Sequence, residues 1–353
     1  MLRPHLKSEL STRFITDKED IIRYLQLGTN YPIIPEFHKY ILEDLKSYNA
    51  KAILLEKDIN IVKFKEYTDK VVGIVLVYDD QGDTLFFGYF GVYDHDKKKI
   101  EFLVDALIEY AKQNKYKNVR GPINIPTVIY GWGFMVEGSN KDLFIGCPIN
   151  PPVYQNVFIN KGFYIKFEED RYYVPALKID PQNLPGYDFT DYEYVNPGKD
   201  GIWDVIDDML ELHIKYQPPS AQITPKKSFN LKNFIDFINS YGRDWMIWVV
   251  FYKPTKKMIA CGYVIPNIFH KDNHGRMDSI SFHDWVVHPN HRRKGLAMFM
   301  YGETSLKGIN RKTNNYIRWG YWPVGSENLA NKKAALKMGG IKRKTHLILE
   351  LEL

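Results

Sequence analysis

One stretch constrains this chain more than any other: Asp284-Trp-Val-Val-His-Pro-Asn-His-Arg-Arg-Lys-Gly-Leu-Ala297. An apolar strand over 280–287 runs into Pro289 and a basic loop. A helix then begins with Gly295 and Ala297 in its first turn. The first turn of a helix carries N–H groups without intrahelical partners and a partial positive charge. Small residues there let an anion approach the backbone closely. Arg292, Arg293 and Lys294 add three cations at the end where cations destabilise a helix. A bound polyanion reverses that sign. The competing reading is an ordinary loop with a chance charge cluster. The strand–loop–helix context favours an α/β chain that presents a phosphate site.

The rest of the sequence must supply that architecture. At 353 residues, two domains are expected. Apolar residues make up 44%, enough for packed cores and too many for a disordered chain. Residues 187–353 hold 24 Lys and Arg against 17 Asp and Glu; residues 1–186 hold 24 against 25. The positive excess therefore sits in the half that contains the basic loop, as an anionic ligand there requires. A solvated basic face is the alternative on charge alone. No apolar run approaches the roughly 18–20 residues of a membrane span. The start, MLRPHLKSEL, lacks the apolar core of a signal peptide, and Cys147 and Cys261 make no disulfide framework. A cytoplasmic setting is expected.

Periodicity predicts helices over 18–27 and 36–48, a strand over 52–55, and a hairpin of 71–78 with 85–93 around Asp80-Gln81-Gly82-Asp83. A helix over 98–114 follows, with Leu103, Ala106, Leu107, Tyr110 and Ala111 on one face. Strands are expected at 118–120, 143–147, 163–167 and 172–177, with a helix at 153–160. Asp180–Tyr187 reads as the linker. The second half repeats the order: a helix over 202–216, strands at 245–252, 258–265 and 280–287, and the helix after the basic loop. A strand at 316–322, a helix at 328–338 and a strand at 346–351 complete it. This is the pattern of a structural duplication with diverged sequences.

Val287-His288-Pro289 followed by Arg292-x-x-Gly295-x-Ala297 resembles motif A of the GNAT acyltransferase superfamily. Asn328-Leu-Ala-Asn-Lys-Lys-Ala-Ala-Leu-Lys-Met-Gly339 is similar to the second motif of that family. Phe86–Phe90, Arg120–Asn124, Pro148–Pro152 and Lys337–Gly340 extend the likeness over most of the chain, to bacterial and archaeal members with two halves. The resemblance implies an α/β fold with a mixed (α+β) sheet, in two tandem GNAT-like acyl-CoA N-acyltransferase folds. Residues 1–183 would form a degenerate domain without the CoA loop, and 184–353 the acetyltransferase domain.

The resemblance also implies acetyl-CoA, or another acyl-CoA, as co-substrate, and a small-molecule or peptide amine as acceptor. The peptides of Trp285, Val286 and Val287 would pair with the pantetheine arm, and the Trp285 N–H or a neighbour would polarise the thioester. The Arg292 motif and the N–H groups of Arg293, Lys294, Gly295, Leu296, Ala297 and Met298 would hold the pyrophosphate, with Asn328 nearby. A base must take the proton of the amine, and His283 is the candidate. The two-residue strand period puts it on the face of Ser281 and Trp285. A structural histidine is the alternative for His283. The general acid the family takes from a Tyr four residues before the helix-end Gly is replaced by Ala335, which leaves Tyr301 or Tyr321, or unassisted departure of the thiolate. In the first half, the matching Val92–Lys99 loop has no Gly and carries Asp94 and Asp96, which repel phosphate.

Other classes have less support. His270, His274, His283, His288 and His291 fall within 22 residues, but on a turn and a strand rather than at ligand spacing on a helix, so no metal is expected. No Gly-x-Ser-x-Gly elbow is present. No helix-turn-helix, zinc-finger or RNP signature supports nucleic-acid binding. An aminoacyl-tRNA-dependent peptidyl transferase shares the two-half plan, but that group typically lacks the intact Arg292–Ala297 loop. A non-catalytic acyl-CoA-binding protein is kept open by Ala335.

Overall fold

The structure is a computed structural model. It describes residues 10–57, 62–64, 67–138, 143–176, 181, 184–216, 223–225, 231–309 and 317–353. Packing divides the chain into two units. The first contains Met1–Glu168, Thr224–Asn230 and His346–Leu353; the second contains Glu169–Ile223 and Leu231–Thr345. Part of the Asp180–Tyr187 linker lies outside the described residues.

The first unit runs β1 (Leu10–Ile15), α1 (Lys18–Tyr24), α2 (His38–Ser47), β2 (Lys51–Lys57), and the small pair β3 (Val62–Phe64) and β4 (Tyr67–Asp69). It continues with β5 (Val71–Tyr78), β6 (Thr84–Val92), α3 (Lys97–Gln113), β7 (Asn118–Gly121), α4 (Thr127–Tyr130), β8 (Phe134–Glu137) and α5 (Pro152–Asn160). Strand β9 (Tyr164–Pro175) begins in this unit and ends in the second. The main sheet is ordered β1-β2-β5-β6-β7, and the end of β15 (Ile341–Glu352) lies beside β7, with Leu349 opposite Gly121. Near-continuous apolar runs let β5 and β6 be buried on both faces. Helix α3 closes one face through Ile100, Leu103, Val104, Leu107 and Ala111, which meet Phe87, Phe90, Phe134 and Phe158.

The second unit contains β10 (Tyr192–Val195), α6 (Gly198–Tyr216), α7 (Leu231–Tyr241), β11 (Ile247–Tyr252), β12 (Lys257–Pro266) and β13 (Ser279–Val287). These are followed by α8 (Leu296–Gly308), β14 (Trp319–Gly325) and α9 (Leu329–Lys337). The strand order is β9-β14-β13-β12-β11-β10. Only β13 and β14 are parallel in this run; the other pairs are antiparallel. The expected mixed α/β architecture is present. Its core joins Tyr172, Val174, Ile280, Phe282, Tyr301, Trp322, Val324, Ala335 and Met338.

Two local expectations are corrected. Residues 163–167 and 172–177 were expected as two strands, but Tyr164–Pro175 is one continuous strand. Its charged middle does not turn because its charges are answered: Arg171 pairs with Glu169 at 2.5 Å, and Thr345 Oγ1 donates to Asp170 Oδ1 at 2.9 Å. The expected strand at 143–147 is a turn closed by a single bridge, Phe144 to Cys147. Helix α7 and strand β10 had no counterpart in the sequence reading.

Candidate functional site

The second unit builds its site at the seam between β13 and β14. Their parallel ladder pairs Ser279 with Trp319, Ile280 with Gly320 and Ser281 with Tyr321, and there it ends. Both strands run on, β13 to Val287 and β14 to Gly325. They part after Ser281, which leaves a wedge with strand backbone along its walls. Extended polar chains fit such an edge by completing the ladder.

A bulge shapes one wall. Cys261 opposes Val286 and Tyr263 opposes His283, so Gly262 alone faces both Asp284 and Trp285. The extra residue leaves a peptide outside the regular ladder. It also changes which face Trp285 occupies. Trp285 lies with Phe282 and Trp322, at ring separations of 5.3 and 5.1 Å, and crosses Trp248 at 4.8 Å. The close approach requires glycine at 262, because a Cβ there would lie 2.5 Å from the Trp248 ring and 2.7 Å from Trp285. The expectation that His283 and Trp285 share a face is therefore wrong. His283 is 7% exposed and stacks on Tyr263 at 5.8 Å with ring planes 9° apart. Its face is that of Ser281 and Tyr321, at the apex of the wedge. Ser281 was not a sequence candidate. It is fully buried, and among the described residues its Oγ has no hydrogen-bond partner.

At the far end of β13 the loop turns through Pro289–His291 and enters α8 at Gly295. Arg293 and Gly295 hold positive φ, at 62° and 77°. Gly295 gives no side-chain cap, and the first intrahelical bond is Phe299 N–H to Gly295 at 3.0 Å. The N–H groups of Leu296, Ala297 and Met298 precede it and have no intrahelical acceptor. Arg293 and Lys294 are exposed beside them. The reason for glycine at 295 is more specific than anion approach. A Cβ there would stand 2.5 Å from the ring of Tyr187.

Arg292 is exposed, but its guanidinium is engaged. Nε donates to the Val287 carbonyl at 2.9 Å, and a terminal nitrogen donates to the Tyr216 carbonyl at 3.3 Å. It ties the loop to the strand and to the end of α6. His288 N–H bonds the Ile259 carbonyl at 2.8 Å. His291 Nδ1 lies 3.1 Å from the Tyr192 hydroxyl. Burial, then Lys294 and His288, lower the pKa of His291. Asn328 caps α9, its side-chain oxygen accepting from Asn331 N–H at 3.1 Å. Ala335 is fully buried. The Tyr301 hydroxyl donates to the Pro175 carbonyl from within the core, and burial raises its pKa. Among the described residues no His, Cys, Asp and Glu cluster could hold a metal, and no helix is long and apolar enough to cross a membrane.

The first unit repeats this strand geometry. Its β6–β7 ladder is parallel and runs from Thr84–Asn118 to Phe86–Arg120. Val75 of β5 faces both Tyr89 and Phe90, the counterpart bulge. Tyr93 N–H bonds the Val72 carbonyl at 2.8 Å, as His288 does that of Ile259.

No family model matches the chain, and no curated protein sequence matches it. Solved structures do. A tandem GNAT protein from the clavulanic acid biosynthesis pathway superposes with a TM-score of 0.61 at 11% identity, over 98% of both chains. A GCN5-related N-acetyltransferase from Sphaerobacter thermophilus gives 0.52 at 8% identity, over 97% of this chain and 95% of that one. A glucosamine N-acetyltransferase region of a fungal multi-domain β-N-acetylglucosaminidase gives 0.58 at 11% identity, over 98% of this chain and 38% of that one. The chain has the fold of the GNAT acetyltransferases in its tandem form.

Proposed function

We propose that this chain is an acyl-CoA-dependent N-acyltransferase, with acetyl-CoA the simplest donor, acting on a small-molecule or peptide amine. The second half (184–353) would carry the activity, and the first half (1–183) would be a GNAT-like domain without CoA. One observation carries the reading: β13 and β14 part after Ser281, and the wall of that wedge leads into an uncapped helix N-terminus flanked by cations. A molecule with a polar, extended arm and a pyrophosphate matches both features.

In this reading the peptides of Trp285, Val286 and Val287 face the pantetheine arm. The N–H groups from Arg293 to Met298 take the pyrophosphate, and Asn328 lies at the second motif. Arg292 acts indirectly, because its guanidinium fastens the loop rather than reaching outward. The thioester carbon lies near the bulge, whose off-ladder peptide can donate to the carbonyl oxygen as negative charge develops. The neutral amine attacks that carbon, His283 accepts the amine proton directly or through a water, and the C–S bond breaks to release CoA thiolate. Tyr301 cannot protonate that thiolate, since its hydroxyl is bound to Pro175 in the core. Ser281 and Tyr321, opposite each other where the ladder ends, would be the donors in its place.

Ala335 favours a second reading, an acyl-CoA-binding protein without transfer activity. Calorimetric titration of the full chain with CoA tests the binding common to both readings. Acyl transfer from acetyl-CoA to a panel of amines separates them. Absence of CoA binding overturns both.

A further inference from the structure

Tyr187 is the exposed end of an aromatic column. Its ring lies 6.1 Å from Phe189, nearly parallel, and Phe189 stacks on Phe299 of α8 at 4.6 Å. The column anchors the chain before β10 to the first turns of the helix that follows the basic loop. Tyr187 itself keeps 38% of its surface exposed. One side of its ring fills the space left by the missing side chain of Gly295. The Lys337 ammonium stands 5.9 Å from the ring centre, at the exposed end of α9. A flat π surface and an exposed ammonium thus stand beside the cationic loop, the ring on the glycine that the loop's backbone geometry requires.

We propose that Tyr187 and Lys337 form the subsite for the nucleotide end of the donor, with the adenine laid on Tyr187 and the 3′-phosphate met by Lys337. The inference rests on the reading that the donor is a CoA thioester. The chemistry is general. A purine offers a π face to an aromatic ring, and stacking of this kind tolerates an exposed site. An ammonium on a flexible stem pairs with a phosphate dianion without demanding fixed geometry. The phosphate loop alone would serve any pantetheine thioester that carries a phosphate. The Tyr187–Lys337 pair would make this protein select CoA over carriers that present only the phosphopantetheine arm.

Calorimetry of the full chain with CoA, 3′-dephospho-CoA and 4′-phosphopantetheine tests this. Wild type should bind CoA at least roughly tenfold more tightly than 4′-phosphopantetheine. Tyr187→Leu should weaken CoA and dephospho-CoA alike, by roughly 5- to 100-fold as loss of one base–aromatic stack implies, and leave 4′-phosphopantetheine nearly unchanged. Tyr187→Phe should bind as wild type. Lys337→Gln should weaken CoA and spare dephospho-CoA. Equal affinity of wild type for CoA and 4′-phosphopantetheine overturns the subsite and leaves the acyl-CoA reading standing. An equal loss for all three probes in Tyr187→Leu also overturns it, because the ring would then act only by holding the loop. If none of the three binds wild type, the acyl-CoA reading fails, and the subsite with it.

Discussion

The two units contain the same wedge in two conditions. In both, a parallel ladder ends after three pairs, and a bulge follows on the longer strand. In the first unit the chain itself occupies the opening. Ile123 N–H donates to the Phe87 carbonyl at 2.7 Å, and the bulge N–H of Tyr89 donates to Asn124 Oδ1 at 2.6 Å. Farther along, the Tyr154 hydroxyl accepts from Val92 N–H at 2.9 Å and donates to its carbonyl at 3.1 Å. These backbone positions correspond to the β13 wall of the wedge in the second unit. The helix entries differ in the same sense. Asp96 caps α3 by accepting from Lys99 N–H, and only four residues separate strand from helix. In the second unit eight residues intervene, three of them cations, and the cap is a glycine. One fold thus satisfies its bulge and helix end internally in the first unit, whereas the helix end of the second has no side-chain cap.

The largest expected effect breaks the open side. Gly295→Val puts a β-branched side chain at φ +77° and drives it into the Tyr187 ring. CoA binding should vanish in calorimetry while the circular dichroism spectrum stays that of wild type. Retained affinity would mean that the helix entry is not the phosphate site.

Next comes the chemistry at the apex. His283→Ala should lower kcat by about 10²- to 10⁴-fold, the usual cost of losing a positioned base. CoA affinity should hardly move. The deficit should shrink as pH rises, because more of the amine is then already neutral. A pH–rate profile of both proteins on any accepted amine decides it. Wild-type kcat in the variant at pH 7 assigns His283 to structure.

The closed side predicts a contrast in stability. Asn124→Ala removes the acceptor of a buried N–H, which costs about 1–3 kcal/mol. Ser281→Ala removes a buried hydroxyl that has no partner among the described residues, so it should be neutral or stabilising while lowering kcat. Denaturant unfolding of both variants reads the difference. Equal destabilisation would remove the distinction between a wedge filled by the chain and one left open.

The sequence carried the order of elements because that order rests on local periodicity. The 71–78 and 85–93 hairpin, the apolar face of α3 and the strand–loop–helix around Pro289 all appear near their expected bounds. The bulges were not legible. One extra residue in a strand changes neither composition nor apolar fraction, yet it moves Trp285 to the face opposite His283. The continuity of β9 is hidden by Glu168-Glu169-Asp170-Arg171, in which Arg171 pairs with Glu169 two residues away while Asp170 is met by the distant Thr345. The sequence places Tyr187 at the end of a linker; only the packing of its ring on Gly295 gives it a role. The closure of the first wedge depends on Asn124 and Tyr154, which reach β6 across 35 and 62 positions.

The smallest effect compares the two loops through their titrating groups. In the first unit, burial pushes Asp94 up, but hydrogen bonds from Lys99 and from Asp96 N–H outweigh it and hold the carboxyl below its ordinary value. The stability it contributes is present above the ordinary carboxylate pKa and is lost as pH falls through the lowered one. In the second unit, burial, Lys294 and His288 hold His291 below the ordinary imidazole value. The folded loop therefore prefers the neutral ring. Its contribution is full above about pH 6.5, the ordinary imidazole pKa, and is lost as pH falls through the lowered pKa. His291→Gln should remove that acid sensitivity, leaving Tm less dependent on pH between 7.5 and 5.5, within about 2 °C of wild type for a group this exposed. Asp94→Asn should lower Tm equally at both pH values, leaving its pH dependence in that window unchanged, and alter the slope only near pH 4. Bound CoA should act on His291 alone, since phosphates beside Lys294 offset the repulsion that disfavours the imidazolium. Melting scans at the two pH values, with and without CoA, separate the loops. A CoA-independent pH response of His291 would place the phosphates away from it.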